Sequence, residues 1–401
     1  MATVRQVSVA ERRHRMGARH HLADPGPGIV QIADDLVGYH ASDPVSVYLS
    51  ARARFPATTV PAMESALYEE RSLLKLLGMR RTMFVVPPEL GSVIDAACTR
   101  LVSEREHRRF EQVLEANGVT DDPKAWIAAT SELILDELRS NGPATARELT
   151  SRIPQLDRKV TMGTGRWAAE VAVSTRMLFL LAADTAIIRS RPLGSWVSSL
   201  YRYAATDLWS PELLRPGDTV EAQADLVGRW LRRFGPGTMT DLRWWTGLTK
   251  KAITEALATV GAVEVTLGEG MPAWLAPDDA EPAQPVREWA ALLPGLDATV
   301  MGWKERDWYL EPGMVPKLFD TVGNAGNTVL VSGRIVGAWG QRPDGAVVVG
   351  LLDRIDAASR RLVDAEAARL TEWLDGTVVA ARFPTPLVKE LNGAGSGQPA
   401  S

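Results

Sequence analysis

Three stretches of this chain repeat one order of apolar and polar positions. The clearest starts at "GPGTMTDLRWWTG" (235–247), where a Gly-Pro-Gly break precedes an apolar-faced helical pattern. "TKKAITEALATVG" (249–261) continues as a second helix. "AVEVTLGEGMPAWLAP" (262–277) then alternates apolar and polar residues on both sides of Gly268 and Gly270, which predicts a hairpin. An earlier stretch opens with "GPATARELTSRIP" (142–154). A long apolar-faced helix follows in "RWAAEVAVSTRMLFLLAAD" (166–184), then a hairpin-like "TAIIRSRPLGSWVSSLYRYA" (185–204). The first stretch opens with "GPGIVQIADDLVG" (26–38), passes through a helical region from Val45 to about Lys75, and ends in "LLGMRRTMFVVP" (76–87). Gly-Pro stops the preceding helix, and Thr145 or Thr238 can cap the next one.

Helix, turn, helix, hairpin, repeated three times, is the pattern of a helix-turn-helix that carries a two-stranded wing. After about residue 285 the texture changes. "TVLVSGRIVGAWGQRPDGAVVVGLLDRID" (328–356) is rich in Val, Ile and Gly with Asp-Gly turns, which predicts antiparallel hairpins of a small barrel or curled sheet. "DAASRRLVDAEAARLTEWLDG" (356–376) is an amphipathic helix, and the Gly- and Ser-rich end is a flexible tail. The expected fold class is α+β. Winged-helix modules are expected over 1–110, 111–210 and 211–285, a C-terminal β-barrel-like domain with a terminal helix over 286–390, and a tail over 391–401.

Composition narrows this picture. Hydrophobic residues make up 45% and charged residues 23%, as in an ordinary globular chain. Apolar runs stay short of the ~18 residues that a membrane span needs. The basic N-terminus lacks the apolar core of a secretory signal. One cysteine, Cys98, allows neither an intrachain disulfide nor a cysteine-based zinc site. P-loop, Rossmann, HExxH and serine-hydrolase patterns are missing, so we expect no cofactor, metal or nucleotide. The reading is a cytoplasmic protein, acting as a monomer, with no membrane partner. The net charge of −4 argues against a uniformly basic surface, but arginines gather locally, as at Arg52 and Arg54, at Arg80 and Arg81, and in an N-terminal Arg/His cluster.

One short stretch, "LVGYHASDP" (36–44), stands out because it sets His40, Ser42 and Asp43 side by side between a helical pattern and a proline. In an extended segment, residues i and i+2 point to one side, so His40 and Ser42 would face one spot. The competing reading is structural: Ser42 or Asp43 caps the helix that begins at Pro44.

Five stretches in order, "LVGYHASDPVSVYLSARAR", "LLKLLGMRRTMFVVP", "FGPGTMTDLRWWTGL", "ALLPGLDATVMGWKERD" and "VLVSGRIVGAWGQR", resemble the HTH_42 winged-helix superfamily of bacterial DNA glycosylases, which includes AlkZ-type and YcaQ-type enzymes. The resemblance implies tandem winged helices and a β-barrel around a DNA channel. It also implies hydrolysis of the N-glycosidic bond of alkylated bases, bulky and crosslinked ones included, with duplex DNA carrying such bases as partner. Where characterised members carry Gln-x-Gln or Gln-x-Asp, this chain has His40-Ala41-Ser42. Bases alkylated at N3 or N7 are cationic and leave neutral, so the enzyme mainly has to place a water at C1′. Neutral His40 would take the water's proton, Ser42 would hold the water, and Asp43 would lie opposite the developing cation. Arg52, Arg54, Arg80 and Arg81 are candidate phosphate contacts, and Trp303, Lys304 and Arg306 would line the channel. Trp244 and Trp245 are expected in the core, and Asp297 in a structural role. The alternative function is a non-catalytic winged-helix DNA binder, a regulator or a protein that sequesters damage.

Overall fold

The computed structural model describes residues 4–163, 165, 168–214 and 217–393. It divides into two compact units: Met1–Met63 with Ala224–Ser401, and Glu64–Gln223. Among the described residues, no helix is long and apolar enough to cross a membrane. The content is mixed α and β, and the strands are short and almost all antiparallel.

In the unit formed by 64–223, strands Leu74–Leu77 and Met83–Val86 pair antiparallel, Leu74 against Val86. Their turn puts Arg80 and Arg81 at φ 53° and 65°, in the left-handed region. Helices Arg100–Ala116, Pro123–Asn141, Ala146–Arg152 and Val173–Ala183 enclose a core around Phe110, Ile134, Leu149, Met177 and Leu181. Thr145 caps Ala146–Arg152 reciprocally with Glu148, which satisfies N–H groups that the first turn leaves open. A second hairpin joins Ile187–Pro192 to Tyr201–Ala205. One expectation is corrected here. The helix expected to start at Arg166 begins at Val173, because Ala169–Ala172 pairs instead with Lys159–Met162 as a strand. Arg166 and Trp167 themselves lie outside the described residues.

In the other unit, the third repeat folds locally as its pattern predicts. Thr238 forms a capping box with Asp241 at the start of Met239–Thr246, and Gly247 ends that helix in the left-handed conformation. Thr249 caps Lys250–Val260, and Val263–Leu267 pairs with Met271–Leu275, Val263 against Leu275. Gln6–Val7 adds a parallel edge to this hairpin. Gly237 is required by close approach: a Cβ there would lie 2.1 Å from the buried Trp230 ring.

The C-terminal part differs from the expected barrel. Ala290–Leu293, Thr328–Val331, Arg334–Gln341 and Val347–Leu351 form one four-stranded antiparallel sheet in that order. Its first and last strands do not meet, so among the described residues no barrel closes. Four strands are too few to curl round and still hold a packed interior. Helices Ala357–Leu374 and Pro386–Gly393 pack against the sheet instead. Residues 391–393 of the expected tail belong to that last helix, and 394–401 lie outside the described residues.

Candidate functional site

The motif is extended for local reasons. The helix Ile29–Asp35 ends at Leu36, and Val37 and Gly38 take φ 53° and 106°, which turns the chain out of the helix. Tyr39–His40 is a short strand, and Asp43 is still extended. Burial alternates along it: Tyr39, Ala41 and Asp43 are buried, while His40 and Ser42 are half-buried. That alternation puts His40 and Ser42 on the partly open side of one extended segment. Beneath them, the Tyr39 hydroxyl donates to the Ile29 carbonyl at 2.7 Å, and burial raises its pKa, keeping it protonated.

Asp43 has a different position from the one its charge suggested. One carboxylate oxygen accepts from Val45 N–H at 3.2 Å, which caps the helix Pro44–Arg54 with proline at its first position. The other accepts from the backbone N–H of Arg382 at 3.2 Å. The Arg382 guanidinium also donates to the Ser42 carbonyl at 3.3 Å. Asp43 thus clamps the end of the motif, and it is 7% exposed.

The helix that follows is fixed by polar bonds along its length. Ser46 donates to the Gly295 carbonyl at 2.6 Å, and Ser50 to Asp297 at 2.7 Å. Arg54 meets Asp297 through two N–H groups, at 2.9 and 2.7 Å, and donates to the Thr299 hydroxyl at 2.7 Å. Burial pushes the Asp297 carboxyl up, but the Arg54 charge and the bonds from Arg54, Ser50 and Thr299 N–H outweigh it and hold the pKa low. Thr299 hydroxyl lies 2.8 Å from His20 Nδ1, and His20 Nε2 lies 3.0 Å from the Arg233 carbonyl. Nε2 faces only an acceptor, so it carries the hydrogen, and Nδ1 accepts from Thr299. Burial, joined by the Arg54 charge, pushes the His20 pKa down to about 3, so the ring is neutral.

These contacts correct several expected roles. Arg54 is fully enclosed and spends its charge on Asp297, so it cannot meet a phosphate. Arg52 is 5% exposed and paired with Glu366 at 3.1 Å. Trp303 is 2% exposed, donates its indole N–H to the Phe234 carbonyl at 3.0 Å and packs edge-on against Trp308, so it is core and not channel lining. The N-terminal basic cluster is also largely internal: Arg15 pairs with Glu11 and Asp279, and Arg12 lies 4.1 Å over the Trp308 ring. Lys304 is exposed. Arg306 is half-buried, donates to the Trp303 carbonyl at 2.9 Å and stacks over Trp244 and Phe319. Trp245 is buried beside Trp230 and Phe234. In the 64–223 unit, Arg80 and Arg81 are exposed, and Arg81 pairs with Glu106 at 3.1 Å. Among the described residues, no group of three or more His, Cys, Asp or Glu could hold a metal ion. Arg382 has no sequence signal: it sits in "ARFPTP", which has neither helical nor strand periodicity.

A family described as "DNA glycosylase AlkZ-like" matches residues 33–373 of this sequence. Among solved structures, the Streptomyces sahachiroi DNA glycosylase AlkZ is similar in fold, with a TM-score of 0.71 and 19% identity, over 94% of this chain and 99% of that one. No curated protein is a significant match.

Proposed function

The chain belongs to the AlkZ-like DNA glycosylase family, and from that premise we propose that it hydrolyses the N-glycosidic bond of bases alkylated at N3 or N7 in duplex DNA, bulky and crosslinked adducts included. The observation that carries the site assignment is the alternation of burial from Tyr39 to Asp43, which leaves His40 and Ser42 half-buried side by side. In the proposed reaction, a water held between them attacks C1′. As the new C–O bond forms, the bond from C1′ to the base breaks, and its electron pair goes to the base nitrogen, cancelling the positive charge of alkylation. Neutral His40 accepts the water's proton, and the Ser42 hydroxyl orients the water. No strong general acid is required, because the leaving base is already cationic. Asp43 acts as a positioning residue, since both of its oxygens are engaged by backbone N–H groups.

The surrounding assignments belong to the same reading. The three helix-and-hairpin stretches, over 1–110, 111–210 and 211–285, act as winged-helix modules that contact the duplex, and the sheet-and-helix part covers 286–390. Arg80, Arg81 and Lys304, which are exposed, and half-buried Arg306 are the cations assigned to DNA contact in this reading. The protein works as a monomer in the cytoplasm, at the nucleoid, without cofactor.

The test is single-turnover excision of an N7-alkylguanine from duplex DNA, scored as alkali-labile strand breaks without added metal or nucleotide. His40→Ala should slow excision by ~10²-fold, the scale of a lost acid–base contribution, with DNA binding nearly unchanged. Ser42→Ala should cost less. Bound but unexcised lesions across a broad panel would leave the non-catalytic binder as the better reading. Excision that survives His40→Ala at full rate would remove His40 from the site.

A further inference from the structure

We propose that Arg382 anchors a DNA backbone phosphate beside the His40–Ser42 pair, so that a residue far down the chain supplies the phosphate contact expected of Arg52 and Arg54. The inference rests on the reading of this segment as the glycosylase site. Its own evidence is separate. Arg382 is exposed, and among the described residues no ion pair engages its guanidinium. One N–H of its five-donor fork is spent on the Ser42 carbonyl, in a long bond of 3.3 Å. The rest of the fork is free for an anion, and a planar guanidinium matches two phosphate oxygens at once.

The placement is rigid as well as charged. The backbone N–H of Arg382 is bonded to Asp43, so its Cα is held against the motif whatever its side chain does. Pro384 and Pro386 fix the backbone on the C-terminal side. Thr385 between them is fully buried and packs so closely on Gly326 that a Cβ there would lie 2.5 Å from the Thr385 hydroxyl. A nucleotide whose C1′ sits over His40 and Ser42 carries its flanking phosphates within one side chain's reach of that edge. The nearby arginines on the motif helix cannot serve, since Arg54 is held by Asp297 in a fully buried pair and the buried Arg52 side chain is paired with half-buried Glu366. Arg382 thus has two linked functions. Its backbone orders the motif, and its side chain binds the substrate's phosphate, recognising DNA without reading its bases.

The experiment uses the full chain and a duplex carrying a tetrahydrofuran abasic-site analogue, which cannot be excised. Binding is followed by fluorescence anisotropy across a series of potassium chloride concentrations, for wild type, Arg382→Gln and Arg382→Lys. Each phosphate contact contributes about 0.9 to the slope of log Kd against log salt. Arg382→Gln should lower that slope by about 0.9, and Arg382→Lys should restore it. All variants keep the backbone N–H to Asp43, so a change in slope is not a change in the clamp. A wild type with steep salt dependence and an Arg382→Gln variant with the same slope would overturn the inference while leaving the glycosylase reading intact. Wild-type binding that is absent, or indifferent to salt, would overturn the DNA-directed reading itself and this inference with it.

Discussion

Replacing Asp297 by alanine should destabilise this protein more than almost any surface change, and the structure sets the scale. Asp297 accepts from Ser50 at 2.7 Å, from Arg54 at 2.9 and 2.7 Å, and from Thr299 N–H at 2.9 Å. Neither charged side chain of the pair reaches solvent. The alanine variant leaves the enclosed Arg54 guanidinium with no counter-charge. Breaking one side of a buried ion pair costs ~3–5 kcal/mol. At about 2–4 °C per kcal/mol for a domain of this size, the melting temperature should fall by roughly 10 °C. A second substitution tests the cause. Adding Arg54→Met to Asp297→Ala removes the stranded charge, so the double variant should recover part of the loss. The pH dependence has a definite sign. The folded pKa of Asp297 lies below its ordinary value, so its contribution is present above the unfolded carboxylate range, ~3.9, and is lost as pH falls through the folded value. Wild type should therefore lose on acidification a component that Asp297→Ala never had. Thermal melting by circular dichroism, with and without acidification, reads all three. An Asp297→Ala variant melting within about 1 °C of wild type would refute the argument.

Gly237→Ala would drive a Cβ to 2.1 Å from the Trp230 ring, which has no solvent to move into; the urea midpoint should drop by an amount equivalent to ~1–3 kcal/mol with unchanged m, and an unchanged midpoint would show the turn can give way. His107 bonds to Asp184 at 2.9 Å, and that bond raises its pKa against the opposing pull of burial. The stabilisation is complete below the unfolded histidine value, ~6.5, and is lost as pH rises through the folded pKa. His107→Asn should erase the part of wild type's advantage at pH 6 that is missing at pH 8.5, and equal pH profiles for the two proteins would count against it.

The sequence alone determined the features whose partners lie within a turn or two. The Gly-Pro breaks, the Thr145 and Thr238 caps, the glycine-ended helix and the hairpins at 74–86, 187–205 and 263–275 all rest on bonds between near neighbours in the chain, so residue type and spacing were enough. The extended HASD segment and a cap at Ser42 or Asp43 were legible on the same ground, and the structure gives the cap to Asp43. What the tertiary structure alone decided was the fate of charges and edges. Arg52, Arg54 and Arg382 are equally basic in the sequence. Arg54 is neutralised by a carboxylate 243 positions away, whereas Arg382 lies exposed beside a motif 339 positions before it. Sheet closure was undecided for the same reason, because the first and last strands would have to meet across the whole C-terminal part. A charge's solvation and a strand's neighbour depend on contacts between distant parts of the chain, and local residue patterns carry no record of those contacts.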